Sequence, residues 1–197
     1  MKALYHVWKR AVRPETCARI IEEASHLIEK EAGLGLAEDK KTGKKSSVPT
    51  PDKRKSRVRW FPAQTPQYKW LYEYVDSFVQ IANKQMFGFD LWPSTPQGLQ
   101  FTEYNVSGDH YDWHMDTAMQ DFVTMEHRKL SCIILLDEAD SSTGGEFELE
   151  LHPRISNEFT DIGDVLVFPS FLKHRIKKLK TGTRRSLVAW SSGPKWR

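Results

Sequence analysis

The sequence predicts an α+β domain that is mainly β, a β-sandwich, jelly roll or barrel flanked by N-terminal helices. Three observations predict it. From Leu99 onward, seven short β-like runs follow one another, separated by turn-forming Gly, Ser, Asp and Thr clusters. Before them, two stretches repeat apolar residues at the helical period. The chain has 197 residues, 39% hydrophobic and 28% charged, the composition of one ordinary globular domain with room for a real core. We read 1–197 as a single domain, with 1–98 as helical support and 99–194 as the β core.

The first helix is expected over 14–31. Pro14 suits its first turn, and Ile20, Ile21, Ala24, Leu27 and Ile28 make an apolar stripe before Gly33 and Gly35. Residues 37–59 break all periodicity and carry nine Lys/Arg against three Asp/Glu, which reads as a mobile basic loop. A second amphipathic helix is expected over 65–87, with Gly88 after it. The β runs are LQFTEYNV, HYDWHMD, KLSCIILLDE, EFELEL, DVLVFP, LKHRIKKL and RRSLVAW, with SGD, SSTGG, DIGD and KTG as turns between them.

Several function classes are disfavoured. No apolar run approaches the ~18–20 residues of a membrane span, so no membrane partner is expected. The N-terminus has no apolar segment before a cleavage site, so secretion is not expected. Cys17 and Cys132 belong to no CxxC pair and read as reduced thiols of a cytoplasmic protein. A net charge of +3 does not by itself imply nucleic acid, although it leaves such a partner open.

The stretch HYDWHMD holds His-x-Asp twice, His110/Asp112 and His114/Asp116. Residues two apart on a strand lie ~6.6 Å apart and share a face, so either pair could converge on one ion. Parity does not choose between them. A third ligand is needed from elsewhere, and His174, on a later strand, is the best candidate. Ten residues on comes Arg184, with Ser186 at same-face spacing. A strand arginine with no carboxylate nearby in sequence suits a small diacid. Two histidines and one carboxylate on an iron leave three open positions, the arrangement of non-haem Fe(II) oxygenases.

At this point the sequence resembles a known family, the Fe(II)/2-oxoglutarate-dependent dioxygenases of the prolyl 4-hydroxylase-like, PKHD-type group. The run Y-x3-G-x2-Y-x2-H-x-D reads here as Tyr104, Gly108, Tyr111, His114 and Asp116, which favours the second pair. RKLS with a following Gly-Gly-Glu, GDVLVFPSFLKHRI, and GTRRSLVAWSSGP resemble the family's later strands. A departure is Lys178-Leu179-Lys180, where relatives often carry Pro-Val-Thr. It falls outside the ligands.

The resemblance implies a double-stranded β-helix (jelly roll, cupin-like). It implies Fe(II) on His114, Asp116 and His174, with 2-oxoglutarate and O2 as cosubstrates and ascorbate as reductant. Arg184 and Ser186 would grip the far carboxylate of 2-oxoglutarate. Tyr111 would bond the cosubstrate, and Trp190, at matching parity, would wall the same pocket. The implied reaction hydroxylates an unactivated C–H and releases succinate and CO2. The substrate is expected to be a prolyl residue of a protein or peptide, with a free amino acid, another small molecule or a nucleobase as the alternative. A non-catalytic binding module would have no need of all four residues His114, Asp116, His174 and Arg184. Arg59 and Trp60, where apolar residues resume, are candidate substrate contacts together with Tyr104. The basic loop reads either as a substrate-gated lid or as plain surface. Oligomeric state is left open.

Overall fold

A computed structural model of the chain describes residues 3–38, 45–92, 98–117, 127–138, 140–152 and 155–196. In chain order the elements are β1 (His6–Trp8), α1 (Pro14–Ser25), β2 (Lys30–Glu31), β3 (Gly33–Glu38), β4 (Lys45–Pro49), β5 (Arg54–Lys55) and β6 (Arg57–Phe61). A 3-10 turn then leads into α2 (Lys69–Ala82), which closes in a π turn. There follow β7 (Leu99–Tyr104), β8 (His110–His114), β9 (His127–Leu135), β10 (Ser142–Gly144), β11 (Phe147–Leu149), α3 (Ile155–Glu158), β12 (Val165–Pro169), β13 (His174–Ile176), β14 (Leu179–Gly182) and β15 (Arg184–Gly193).

Two antiparallel sheets face each other. The major sheet has the order β1-β12-β9-β15-β7-β6-β2, and the minor sheet β11-β13-β8-β5. This is a jelly-roll, double-stranded β-helix core with helices on its outer side. The apolar runs of the central strands follow from burial on both faces. Along β9, Leu130, Cys132 and Ile134 join the core under α1 and α2, while Ile133 and Leu135 join the core between the sheets. Along β12, Val165 and Val167 take the first side, and Leu166 and Phe168 the second. Each such side chain, fully removed from water, contributes about 1.5–3 kcal/mol.

The helices cover the major sheet as their stripes require. In α1, Cys17, Ile20 and Ala24 are buried, and Pro14 occupies the first turn. In α2 the buried set is Leu71, Tyr72, Val75, Val79 and Ala82. Tyr72 caps that contact, donating to the Phe61 carbonyl (2.7 Å) and accepting from the Leu99 amide (3.3 Å). Gly88 ends the π turn with φ +67°, a left-handed conformation that glycine adopts without strain.

Three expectations about elements are corrected. The first helix stops at Ser25 rather than residue 31, because Lys30 and Glu31 pair with β6 and form the edge strand of the major sheet. Ile28, counted in the helical stripe, is therefore 80% exposed. The stretch 37–59 is not one irregular loop. It contains most of a β3–β4 hairpin, then β5, which joins the minor sheet, and β6, which joins the major one. Cross-strand pairing here overrides a composition that locally favours no element. Residues 39–44 of that stretch lie outside the described residues. Finally, LKHRIKKL is split between β13 and β14, and the turn-like SSTGG and KTG supply strands β10 and β14, which pair with each other. Gly144 (φ +75°) and Gly182 (φ +81°) make that close pairing possible. A Cβ at either would lie 2.4 Å from the Lys178 carbonyl or 2.0 Å from the Ser141 carbonyl.

Among the described residues no helix is long and apolar enough to cross a membrane.

Candidate active site and metal centre

The site begins with a bulge. β8 pairs with β13 so that His114 faces His174 and Tyr111 faces Ile176, three residues on one strand against two on the other. The extra residue breaks strict alternation. His114 and Tyr111, an odd number of residues apart, consequently line the same pocket, together with Asp116 and His174. His110 and Asp112 do not line it. His110 is hydrogen-bonded to the Gly108 carbonyl (2.8 Å), and Asp112 pairs with Lys53 at 3.5 Å on the surface. The structure thus separates the two His-x-Asp pairs that parity left together.

One nitrogen each of His114 and His174 and a carboxylate oxygen of Asp116 lie within 4.8 Å of one another. Both imidazoles are oriented from behind. Nδ1 of His114 bonds the Asp112 carbonyl (2.7 Å) and Nδ1 of His174 the Leu172 carbonyl (2.9 Å). A carbonyl only accepts, so each Nδ1 carries the proton and each Nε2 presents a lone pair. Those Nε2 atoms lie 3.6 Å from Asp116 Oδ1 and Oδ2 respectively. Asp116 is itself fixed by Ser131, which donates to Oδ2 at 2.6 Å, and by its amide, which donates to the Ser170 carbonyl (2.9 Å). Burial pushes the Asp116 carboxyl up, but the His174 and His114 rings and the Ser131 hydroxyl more than offset it and hold the group well below the usual carboxylate range. Burial lowers His174 to about 4, against the pull of Asp116, so this ring is neutral. Two imidazoles and one carboxylate, each braced by an outer hydrogen bond, fit a divalent transition metal with open positions.

The triad opens into a cavity of about 390 Å³ between the sheets. One wall is built from paired residues of β7 and β15, where Tyr104 faces Arg184, Thr102 faces Ser186 and Gln100 faces Val188. Arg184 is buried and donates to Ser186 Oγ at 3.3 Å. Burial lowers its pKa, and no carboxylate of the described residues forms an ion pair with it. Its neighbour Arg185, on the opposite face, is bonded to Glu103 (2.8 Å) and Asp137 (3.0 Å). Tyr104 lies beneath the Arg184 guanidinium, 5.8 Å from ring centroid to Cζ, and Trp190 walls the mouth beside Trp60, with ring centroids 6.0 Å apart.

Arg59 corrects an expectation. It does not line the cavity, but pairs with Glu29 and lies over Phe101. Adjacent residues of a strand point to opposite faces, so Arg59 and Trp60 cannot both turn inward. Trp60 does line the cavity. Sequence reasoning also passed over Ser131 and Arg54. A serine within the apolar run of β9 was a usable signal for the first. The second was hidden in a run of basic residues, where nothing local distinguishes it.

Residues 99–192 match the sequence profile of the 2OG-Fe(II) oxygenase superfamily. A PKHD-type hydroxylase of Prochlorococcus marinus (strain MIT 9515) is 31% identical over 110 residues, covering 56% of this chain and 48% of the relative. One from Crocosphaera subtropica is 28% identical over 105 residues, covering 53% and 47%. The chain spans about half the length of the curated relatives it matches. Among solved structures, a Pseudomonas putida prolyl-4-hydroxylase superposes with TM-score 0.64 at 16% identity over 98% of this chain and 94% of that one. A Trichoplax adhaerens prolyl hydroxylase, in complex with a hypoxia inducible factor peptide fragment, gives 0.67 at 17% identity over 95% and 83%. The chain thus resembles the 2OG-Fe(II) oxygenase superfamily over residues 99–192 and PKHD-type hydroxylases over about half of its length, and it shares its fold with the solved prolyl hydroxylases.

Proposed function

We propose that this protein is an Fe(II)- and 2-oxoglutarate-dependent dioxygenase that hydroxylates an unactivated C–H, with a prolyl residue of a protein or peptide as substrate. The observation that carries the reading is that the His114/Asp116/His174 cluster and the buried Arg184, which has no ion-pair partner among the described residues, open into one cavity. His114, Asp116 and His174 would hold the iron. With 2-oxoglutarate and O2, the bound metal supplies oxidative decarboxylation to succinate and CO2 coupled to hydroxylation of the substrate.

The chain's own residues supply position and dryness. Arg184, with Ser186, holds the far carboxylate of 2-oxoglutarate, because a planar guanidinium matches a carboxylate through two hydrogen bonds. Tyr111 offers its hydroxyl to the same cosubstrate, and burial raises its pKa and keeps it protonated as a donor. Trp190 and Trp60 exclude water from the mouth and offer flat apolar walls to a pyrrolidine ring. Likeness to a prolyl hydroxylase solved with a peptide fragment supports a peptide substrate.

The test is succinate release and O2 uptake with Fe(II), measured against proline-rich peptides, free amino acids and oligonucleotides. Prolyl peptides should raise turnover well above the uncoupled rate. Stimulation confined to free amino acids or oligonucleotides would move the same chemistry to that substrate. No Fe(II)-dependent succinate release under any condition would overturn the reading.

A further inference from the structure

We propose that Arg54 is a second anion-binding point of the cavity, separate from Arg184, and that it takes a carboxylate carried by the substrate beside the carbon to be hydroxylated. This rests on the dioxygenase reading above for what the cavity otherwise holds.

Arg54 is buried, 8% exposed, and lines the cavity. Its Nε donates to Ser56 Oγ (3.1 Å) and its Nη2 to Gln100 Oε1 (2.9 Å), and its Cζ sits 4.5 Å from the Tyr111 ring centroid. All three partners are neutral. Among the described residues no carboxylate forms an ion pair with it, and no acceptor meets Nη1. The surrounding basic side chains differ. Lys53 pairs with Asp112 (3.5 Å), Lys55 and Arg57 with Asp109 (3.8 and 2.9 Å), and Arg59 with Glu29. From 53 to 59 the cations outside the cavity each meet an anion, and the one turned inward does not. A buried charge left with neutral partners is costly, and a protein retains it where a ligand supplies the counter-charge.

Arg54 is also placed apart from Arg184. It bonds Gln100, which faces Val188, whereas Arg184 faces Tyr104. The two cations thus reach the cavity from different strands and with different partners, although both act on Tyr104 between them. Toward the metal the spacing is short: Arg54 lies over Tyr111, and Tyr111 over the ligand His114. The charges of a divalent iron, Asp116, dianionic 2-oxoglutarate and Arg184 cancel. Arg54 remains, next to the place where the substrate must sit. The carboxylate could come from the α-carboxylate of a free amino acid or from an acidic residue adjoining the target in a peptide, since both present the same group.

The test uses the full chain loaded with Zn(II), a redox-inert occupant, with binding followed by calorimetry in the presence and absence of 2-oxoglutarate. L-proline is compared with L-prolinamide, and acetyl-Pro-Asp-amide with acetyl-Pro-Asn-amide. In at least one pair the carboxylate member should bind tenfold or more tighter than its amide, and the pair that discriminates identifies the source. Arg54→Gln should reduce the preference below twofold while 2-oxoglutarate affinity stays within twofold. Arg54→Lys, which keeps the charge, should retain at least threefold. The proposal is overturned if the wild-type protein shows no preference in either pair, if the preference survives Arg54→Gln, or if Arg54→Gln weakens 2-oxoglutarate itself tenfold. Failure of 2-oxoglutarate to bind at all would instead sink the dioxygenase reading, while the preference between paired probes would still be read without it.

Discussion

The Tyr111 ring lies flat on the His114 imidazole, with centroids 3.4 Å apart and planes 11° from parallel, although the residues are three apart on one strand. The bulge in β8 permits this, and the stack fixes the ring plane of a metal ligand. Tyr111→Phe keeps the stack and removes the hydroxyl. Metal affinity should stay within twofold, while 2-oxoglutarate affinity falls about 3- to 10-fold, the worth of one ordinary hydrogen bond. Calorimetry on the Zn(II)-loaded protein distinguishes the two effects. Unchanged 2-oxoglutarate binding removes Tyr111 from the cosubstrate site.

Asp116→Ala or His174→Ala should abolish stoichiometric Fe(II) binding and all 2-oxoglutarate turnover. His110→Ala and Asp112→Ala should keep both, since those side chains face away from the cavity. Equilibrium dialysis under anaerobic conditions decides it, and metal-free His110 or Asp112 variants would refute the assignment.

Ser131→Ala tests the support behind the carboxylate. Its hydroxyl donates to Asp116 at 2.6 Å and meets Ser170 Oγ at 2.9 Å. Loss of such an outer partner lowers metal affinity about 10- to 100-fold. The thermal shift produced by a fixed metal concentration should shrink accordingly.

Arg184→Ala should weaken 2-oxoglutarate by about 2–5 kcal/mol, the range for a buried charge losing its partner. Iron affinity should change little, because Arg184 touches none of the ligands. An unchanged KM for 2-oxoglutarate would end this role.

The two thiols offer a check that is independent of the metal. Burial raises Cys132 to about 12 and Cys17 to about 11. A folded-state value above the unfolded one means that the thiolate forms first in the unfolded chain. Stability is therefore steady below about pH 9 and declines as pH rises toward 11–12. At pH 8 both cysteines should resist iodoacetamide in the folded protein and react fully in denaturant. Rapid labelling of the native chain would contradict their burial.

The β texture after Leu99, the two amphipathic helices, and the order His114, Asp116, His174 and Arg184 were legible in the sequence. Each depends on local periodicity or on spacing along the chain. The runs of β9 and β12 read as strands and the stripes of α1 and α2 as helices, while burial of those strands on both faces emerged only in the fold. Pairing between distant strands decided the rest. A bulge against β13 turned His114 inward and left His110 outside, which alternation along β8 cannot express. Membership of β5 and β6 in different sheets carried Arg54 into the cavity and left Arg59 on its far side, although the sequence had singled out Arg59 and passed over Arg54. A side chain's neighbours across a sheet are set by register, and register is fixed by the packing of the whole core rather than by the residues beside it in the chain.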